Sequence, residues 1–310
     1  MSILMGTSAD LEPEPVLVLH GVANRDAAEY ERTVQRLEAA VNAHALPGTA
    51  RYRLIPVFWG DLQPDYGGLW YTLPQPPGIQ AMPPTDQHLP PQSIGALHEG
   101  LGFLEGVGLP HMGHRDAERL TYQARRTLLA PGENVIGDVL VYMGNRTPIQ
   151  RRIRERLADA APGWGTAERP ISVLAHSLGG LISFDSACAT EPPVHIRNLA
   201  TFGSAVATFH ILDPRQEVNL ATGVLTSSVL AAFKPGAPIR LPATLGSWTN
   251  IWHAMDPLAF LAGNVFRLND SSTPVDRMIE GASDGWRHAH TSYWTHADVP
   301  ALLFEALRRT

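Results

Sequence analysis

The sequence predicts an α/β protein with a mostly parallel central sheet covered by helices on both faces. Short apolar, β-branched runs alternate with amphipathic stretches along the 310 residues, the pattern of strand–helix–strand units. The run ISVLAHSLGG at 171–180 passes from strand to tight turn to helix. His20, Ser177 and Asp256 each follow a predicted strand, at the carboxyl ends where such sheets bind ligands.

Val16 to Leu19 form the first strand, ending in His20-Gly21-Val22. Residues 26–45 read as a helix, with Asp26 as cap and Val34, Leu37 and Val41 on one face. A second strand covers 54–59, and Pro56 inside it argues for an edge or a bulge. Residues 62–113 are crowded with proline and glycine. Helical pattern resumes near 115–129, breaks at Pro131-Gly132, and returns over 148–160 with RRIRERL as its charged face. The strand from Ile171 follows, then Ser177, then a helix over LISFDSACA. Residues 198–202 make a further strand, and 248–253 another, stopped by Asp256-Pro257. The apolar run at 219–233 reads equally as a lid or as a core-packing helix. DVPALLFEALRR at 298–309 is an amphipathic helix.

Composition narrows the function classes. Apolar residues are 44% and charged residues 17%, ordinary for a globular domain. A net charge of −6 gives no basic footprint for nucleic acid. The single Cys188 excludes an intramolecular disulfide and fits a reducing, cytoplasmic setting. MSILMGTSADLEPEP lacks the pattern of a signal peptide. No run approaches the roughly 18 apolar residues of a membrane span, so no transmembrane segment is expected.

Chemistry concentrates at Ser177. Strand, tight turn and helix around a serine make a nucleophile elbow, with Ala175 where G-x-S-x-G has its first glycine. Small neighbours are required because the serine backbone is strained and strand and helix pass close together. A serine hydroxyl is a weak nucleophile and needs an adjacent base. Imidazole suits that role near neutral pH, and a buried carboxylate fixes its tautomer. Asp256 ends a late strand, and His288 and His290 follow it.

LVLHGV, VFWGD, LAHSLGG, TFGS, NIWHAMDP and AHTSYW together resemble an α/β-hydrolase of the lipase and serine-esterase kind. Ser, Asp, His is also the chain order of that superfamily. The resemblance implies an α/β-hydrolase fold, a mostly parallel central sheet with helices on both faces and inserted cap or lid segments. The core would be 15–61 and 136–310, with a cap at about 62–135 and a second lid-like insertion at about 205–245. It implies a Ser177, His290, Asp256 triad, with AHTSYW placing the family's catalytic histidine on His290. Leu178 and Val22 would supply the backbone N–H groups of the oxyanion hole, and His20 would support that loop. There is no HGGG segment, which argues against the hormone-sensitive-lipase branch.

His288, and behind it His296, remain alternatives for the base, and Asp213 for the acid. Asp185 reads as a surface or salt-bridge residue, and Asp61 as a loop cap, with lining the site as its alternative. His111, His114 and Asp116 lack the spacing of a metal site, and no metal or cofactor is expected. The aromatic and apolar side chains of the insertions, such as Trp70, Tyr71 and Phe103, suggest a small-molecule ester or lipid-like substrate. Acyl transfer or cyclisation on the same triad, and a non-catalytic binding protein of this fold, are the other readings. The oligomeric state is open.

Overall fold

The computed structural model describes residues 12–22, 24–47, 49–62, 138–139, 142–144, 146–188, 192–212, 236–281 and 286–309. The chain divides into two units, 1–61 with 147–310, and 62–146. The cap expected at about 62–135 (beyond Leu62), the helix expected at 115–129, the apolar run at 219–233 and Asp213 lie outside the described residues.

The elements are β1 (Glu14–Leu19), α1 (Ala27–Asn42), β2 (Tyr52–Val57), α2 (Arg146–Ala160), β3 (Ile171–His176), α3 (Leu178–Cys188), β4 (Ile196–Phe202), α4 (Val206–Ile211), β5 (Ile239–Arg240), β6 (Leu245–His253), β7 (Phe266–Arg267), β8 (Val275–Ile279), α5 (Trp286–Ser292) and α6 (Val299–Leu307). Six strands form one sheet in the order β2-β1-β3-β4-β6-β8, and every pairing in it is parallel. β5 and β7 make a separate two-stranded piece.

Because both faces are covered, the central strands are continuous apolar runs rather than alternating ones. All six residues of β3 are buried, as are Pro15 to Leu19 of β1. The chain steps from β1 outward to β2, then returns to the other side of β1 to lay down β3. Right-handed crossovers in opposite directions put α1 and α3 on opposite faces. α1 and α6 share one face, where Val16, Val18, Val34, Leu37, Leu303 and Phe304 belong to one core cluster. On the other, Phe184 meets Phe266 at 5.2 Å and Trp248 at 5.8 Å between ring centres.

Local signals account for several elements. Asp26 caps α1 by accepting the Glu29 N–H at 2.9 Å. Pro56 lies on β2, an edge strand of the sheet, where a residue without an N–H is tolerated. The charged face of α2 serves that edge. Arg156 Nε donates to the Pro56 carbonyl at 3.2 Å and Arg152 Nη1 to the Phe58 carbonyl at 3.1 Å.

β8 is a strand that the hydropathy pattern does not announce. Its VDRMI exposes Arg277 and Met278 and pairs only with β6, on the far edge of the sheet. For Asp185, which lies in α3 at 3% exposure, the surface alternative is corrected. α3 is buried along its whole length, so even its polar positions are interior. Among the described residues no helix is long and apolar enough to cross a membrane.

Asp276 on β8 secures the loop that follows β6. Its Oδ1 accepts the Ala262 N–H at 3.0 Å and Asn250 Nδ2 at 2.7 Å, and its Oδ2 accepts the Gly263 N–H at 2.9 Å. Asp276→Ala strands three donors at once and should lower stability by about 2–4 kcal/mol. An unfolding free energy from urea titration lowered by less than about 0.5 kcal/mol would show that water replaces the carboxylate.

Candidate functional site

The strand order reverses between β1 and β3, and an open parallel sheet binds ligands at such a reversal, outside the carboxyl ends of its strands. β1 ends there in His20-Gly21, and β3 ends in His176-Ser177. Ser177 has φ +53°, a left-handed conformation that costs a non-glycine residue about 1–3 kcal/mol. Surrounding hydrogen bonds hold it. Its N–H donates to the Phe202 carbonyl at 3.0 Å, and its own carbonyl accepts Ser204 Oγ at 2.7 Å and the Gly180 N–H at 3.0 Å.

Absent side chains make the room. A Cβ at position 21 would lie 2.5 Å from Ser177 Cβ and 3.0 Å from its Oγ. At position 179 it would lie 2.7 Å from the Leu19 carbonyl oxygen. Gly203 carries φ +60°, and a Cβ there would lie 2.7 Å from the Tyr293 ring and 3.1 Å from Asp256 Oδ2.

Into this space the fold brings His290 from α5 and Asp256 from the turn after β6. His290 Nε2 is 2.9 Å from Ser177 Oγ, and His290 Nδ1 is 3.0 Å from both Asp256 oxygens. A carboxylate only accepts, so Nδ1 carries the proton and Nε2 presents its lone pair to the serine hydroxyl. All three residues are buried. Burial by itself raises the Asp256 pKa. The His290 hydrogen bond and charge, the Leu258 N–H at 2.9 Å and the Tyr293 hydroxyl at 2.9 Å outweigh it and hold the carboxyl below the usual range.

The alternatives separate on geometry. His288 is exposed, and two residues from His290 on α5 it points to the opposite side of the helix. His296 donates Nε2–H to the Glu280 carbonyl at 2.9 Å and accepts the Asp298 N–H at 3.2 Å. Asp61, expected to cap a loop, pairs instead with Arg152 through both oxygens at 3.0 Å. Leu178 begins α3, so its N–H is one of the first-turn donors that have no partner within the helix. Val22 is the half-buried residue after Gly21.

Two residues at the site escape the sequence reading. Tyr293 completes the hydrogen bonds of Asp256. The signal was its position three residues after His290, which puts both on one side of a helical turn. His176 donates Nε2–H to the His290 carbonyl at 2.8 Å, a contact between distant segments that no local spacing announces.

His20 is a buried clamp. The Trp59 N–H donates to its Nε2 at 3.2 Å, so Nδ1 carries the proton and donates to the Gly21 carbonyl at 2.7 Å. Its ring stacks on Trp59 at 4.9 Å. Among the described residues no group of three His, Cys, Asp or Glu side chains could hold a metal ion. His111, His114 and Asp116 lie outside them. No protein-family model matches the chain, and no curated protein matches it.

The buried histidines make stability depend on pH. Burial, opposed by the Gly21 carbonyl, lowers His20 from 6.5 to about 4. Burial and the neighbouring His290 lower His176 from 6.5 to about 3. The unfolded chain therefore binds more protons than the folded one below pH 6.5, and stability should fall as pH falls through that window. Each histidine contributes a slope of up to about 1.4 kcal/mol per pH unit. The depressed Asp256 adds its loss only below about pH 4. Urea midpoints between pH 7 and 5 should steepen downward, and His20→Gln should remove part of the slope. An unchanged slope in His20→Gln would contradict the neutral clamp.

Proposed function

We propose that the chain is a serine hydrolase of the α/β-hydrolase fold that cleaves carboxylic esters through an acyl-enzyme. The observation that carries this reading is the unbroken Asp256–His290–Ser177 hydrogen-bond chain, at 3.0 and 2.9 Å. It ends on a left-handed serine at the reversal of a parallel sheet. The motif resemblance and the chain order Ser, Asp, His support it further.

In this reading His290 Nε2 takes the hydroxyl proton as Ser177 Oγ attacks the ester carbonyl carbon. Asp256 keeps the proton on Nδ1 and stabilises the imidazolium that forms. The Leu178 and Val22 N–H groups receive the carbonyl oxygen as it becomes an anion. The tetrahedral adduct collapses, His290 passes its proton to the departing alkoxide, and the acyl group stays on Oγ. Water, deprotonated by His290, then releases the acid by the same steps in reverse. Every step moves a proton between Ser177, His290 and substrate or water, so the chain's own residues suffice without a cofactor.

An apolar acyl group suits the surroundings. Met255, Phe260 and Leu261 are 54%, 43% and 38% exposed and flank Asp256 in the chain. Phe260 is tied to the site by its N–H, which donates to the Ser204 carbonyl at 3.0 Å. Burying a methylene there would favour longer acyl chains by about 0.8 kcal/mol each.

A fluorophosphonate probe should label the peptide that contains Ser177. Ser177→Ala and His290→Ala should each lower p-nitrophenyl ester kcat by about 10⁶-fold, and Asp256→Asn by about 10⁴-fold, because the three act as a unit. Near-native turnover in Ser177→Ala, or label on another serine, would refute the assignment.

A further inference from the structure

His176 stands immediately before the proposed nucleophile, yet its side chain is committed to the segment that carries the proposed base. Its Nε2–H donates to the main-chain carbonyl of His290 at 2.8 Å. That carbonyl lies in the last turn of the seven-residue α5, where carbonyls have no partner within the helix. The following backbone N–H groups go elsewhere: Trp294 to the Thr291 carbonyl, and Thr295 and His296 to the Ser292 carbonyl. The ring of His176 also packs against Phe202, His290, Tyr293 and Trp294, with centroids 4.9–6.0 Å apart. At 5% exposure, an apolar side chain here would leave the His290 carbonyl buried without this donor.

We infer that His176 is a positioning residue: its Nε2–H ties the main chain of His290 to the end of β3 and so sets the distance between imidazole and serine. The tie is short because His176 and Ser177 are consecutive. β3 is a firm anchor, buried at every position and paired on both sides. Asp256 orients the imidazole ring from one side, but a ring can turn or shift only as far as its own backbone allows. The backbone carbonyl of His290 is the point the tie holds. Its consequence for turnover rests on the esterase reading; the tie itself does not.

The experiment compares His176→Gln, which keeps an N–H donor of similar reach, with His176→Phe and His176→Met, which fill the space without one. Ester kinetics give kcat and KM. Proton NMR follows the downfield resonance of the His290 Nδ1–H shared with Asp256, assigned by its loss in His290→Ala. The expected result is a fall in kcat of about 100-fold in the Phe and Met variants, as for a reacting group displaced by about 1 Å. Their KM should stay nearly unchanged, and the His290 resonance should shift or broaden. His176→Gln should restore both signals. Folded Phe and Met variants with wild-type kcat and an unmoved resonance would overturn the inference, and so would a Gln variant as impaired as Phe. Should the Phe and Met variants fail to fold, the folded Gln variant decides alone: a retained resonance and kcat support the tie, and their loss overturns it. A wild-type protein that neither turns over ester nor labels at Ser177 would refute the esterase reading instead. The tie is then judged by the resonance.

Discussion

The positive φ of Ser177 is the constraint from which the rest of the site follows. A side chain in the left-handed region is turned out of the line of its strand, so the hydroxyl leaves β3 at its carboxyl end instead of entering a layer of the core. Holding it there costs about 1–3 kcal/mol, offset by the Phe202 carbonyl, the Ser204 hydroxyl and the Gly180 N–H that bond to its backbone. Neighbouring chain must then come very close, and only glycine permits it. Gly21 brings the β1 turn against the serine, Gly179 lets α3 pass the end of β1, and Gly203 leaves room for Tyr293 and Asp256. A conformational cost at one residue is met by missing side chains on three other segments.

The second organising feature is the division of labour among histidines. His20, His176, His253 and His296 each bond to a backbone carbonyl, and His20, His253 and His296 also accept a backbone N–H. Such a ring is fixed in one tautomer and bridges two segments of chain. His253 and His296 both donate to the short stretch 280–281, which leads into the segment before α5. His290 differs because its Nδ1 faces a carboxylate and its Nε2 faces a hydroxyl. An imidazole whose two nitrogens meet an acid and an alcohol is built to move a proton, whereas one that meets two backbone groups is built to hold position. That contrast, more than the presence of a serine turn, supports the proposed chemistry.

Where sequence reading succeeded, the physics was local. Ser177 was legible because strand, small residues and helix are adjacent in the chain. Asp26 was legible because a cap acts on the residue three positions ahead. Pro56 marked an edge because it lacks one particular donor. Where it fell short, the decisive partner lay far away. Arg152 claims Asp61 from 91 residues along the chain. β8 is a strand because β6 offers it a free edge, not because its own side chains form a buried pattern.

The sequence by itself therefore determined the fold class, the turn that exposes Ser177, and a short list of acids and bases at strand ends. It could not rank that list on residue pattern, since His288 and His290 are two residues apart and equally polar. The tertiary structure separates the members of that list by position. α5 turns His290 toward Ser177 and Asp256 and leaves His288 exposed, and the turn after β6 delivers Asp256 with three donors around it. The physical reason is range: backbone conformation and capping act within about one helical turn, whereas a hydrogen-bonded chain across three segments exists only after the sheet has brought the ends of β1, β3 and β6 together.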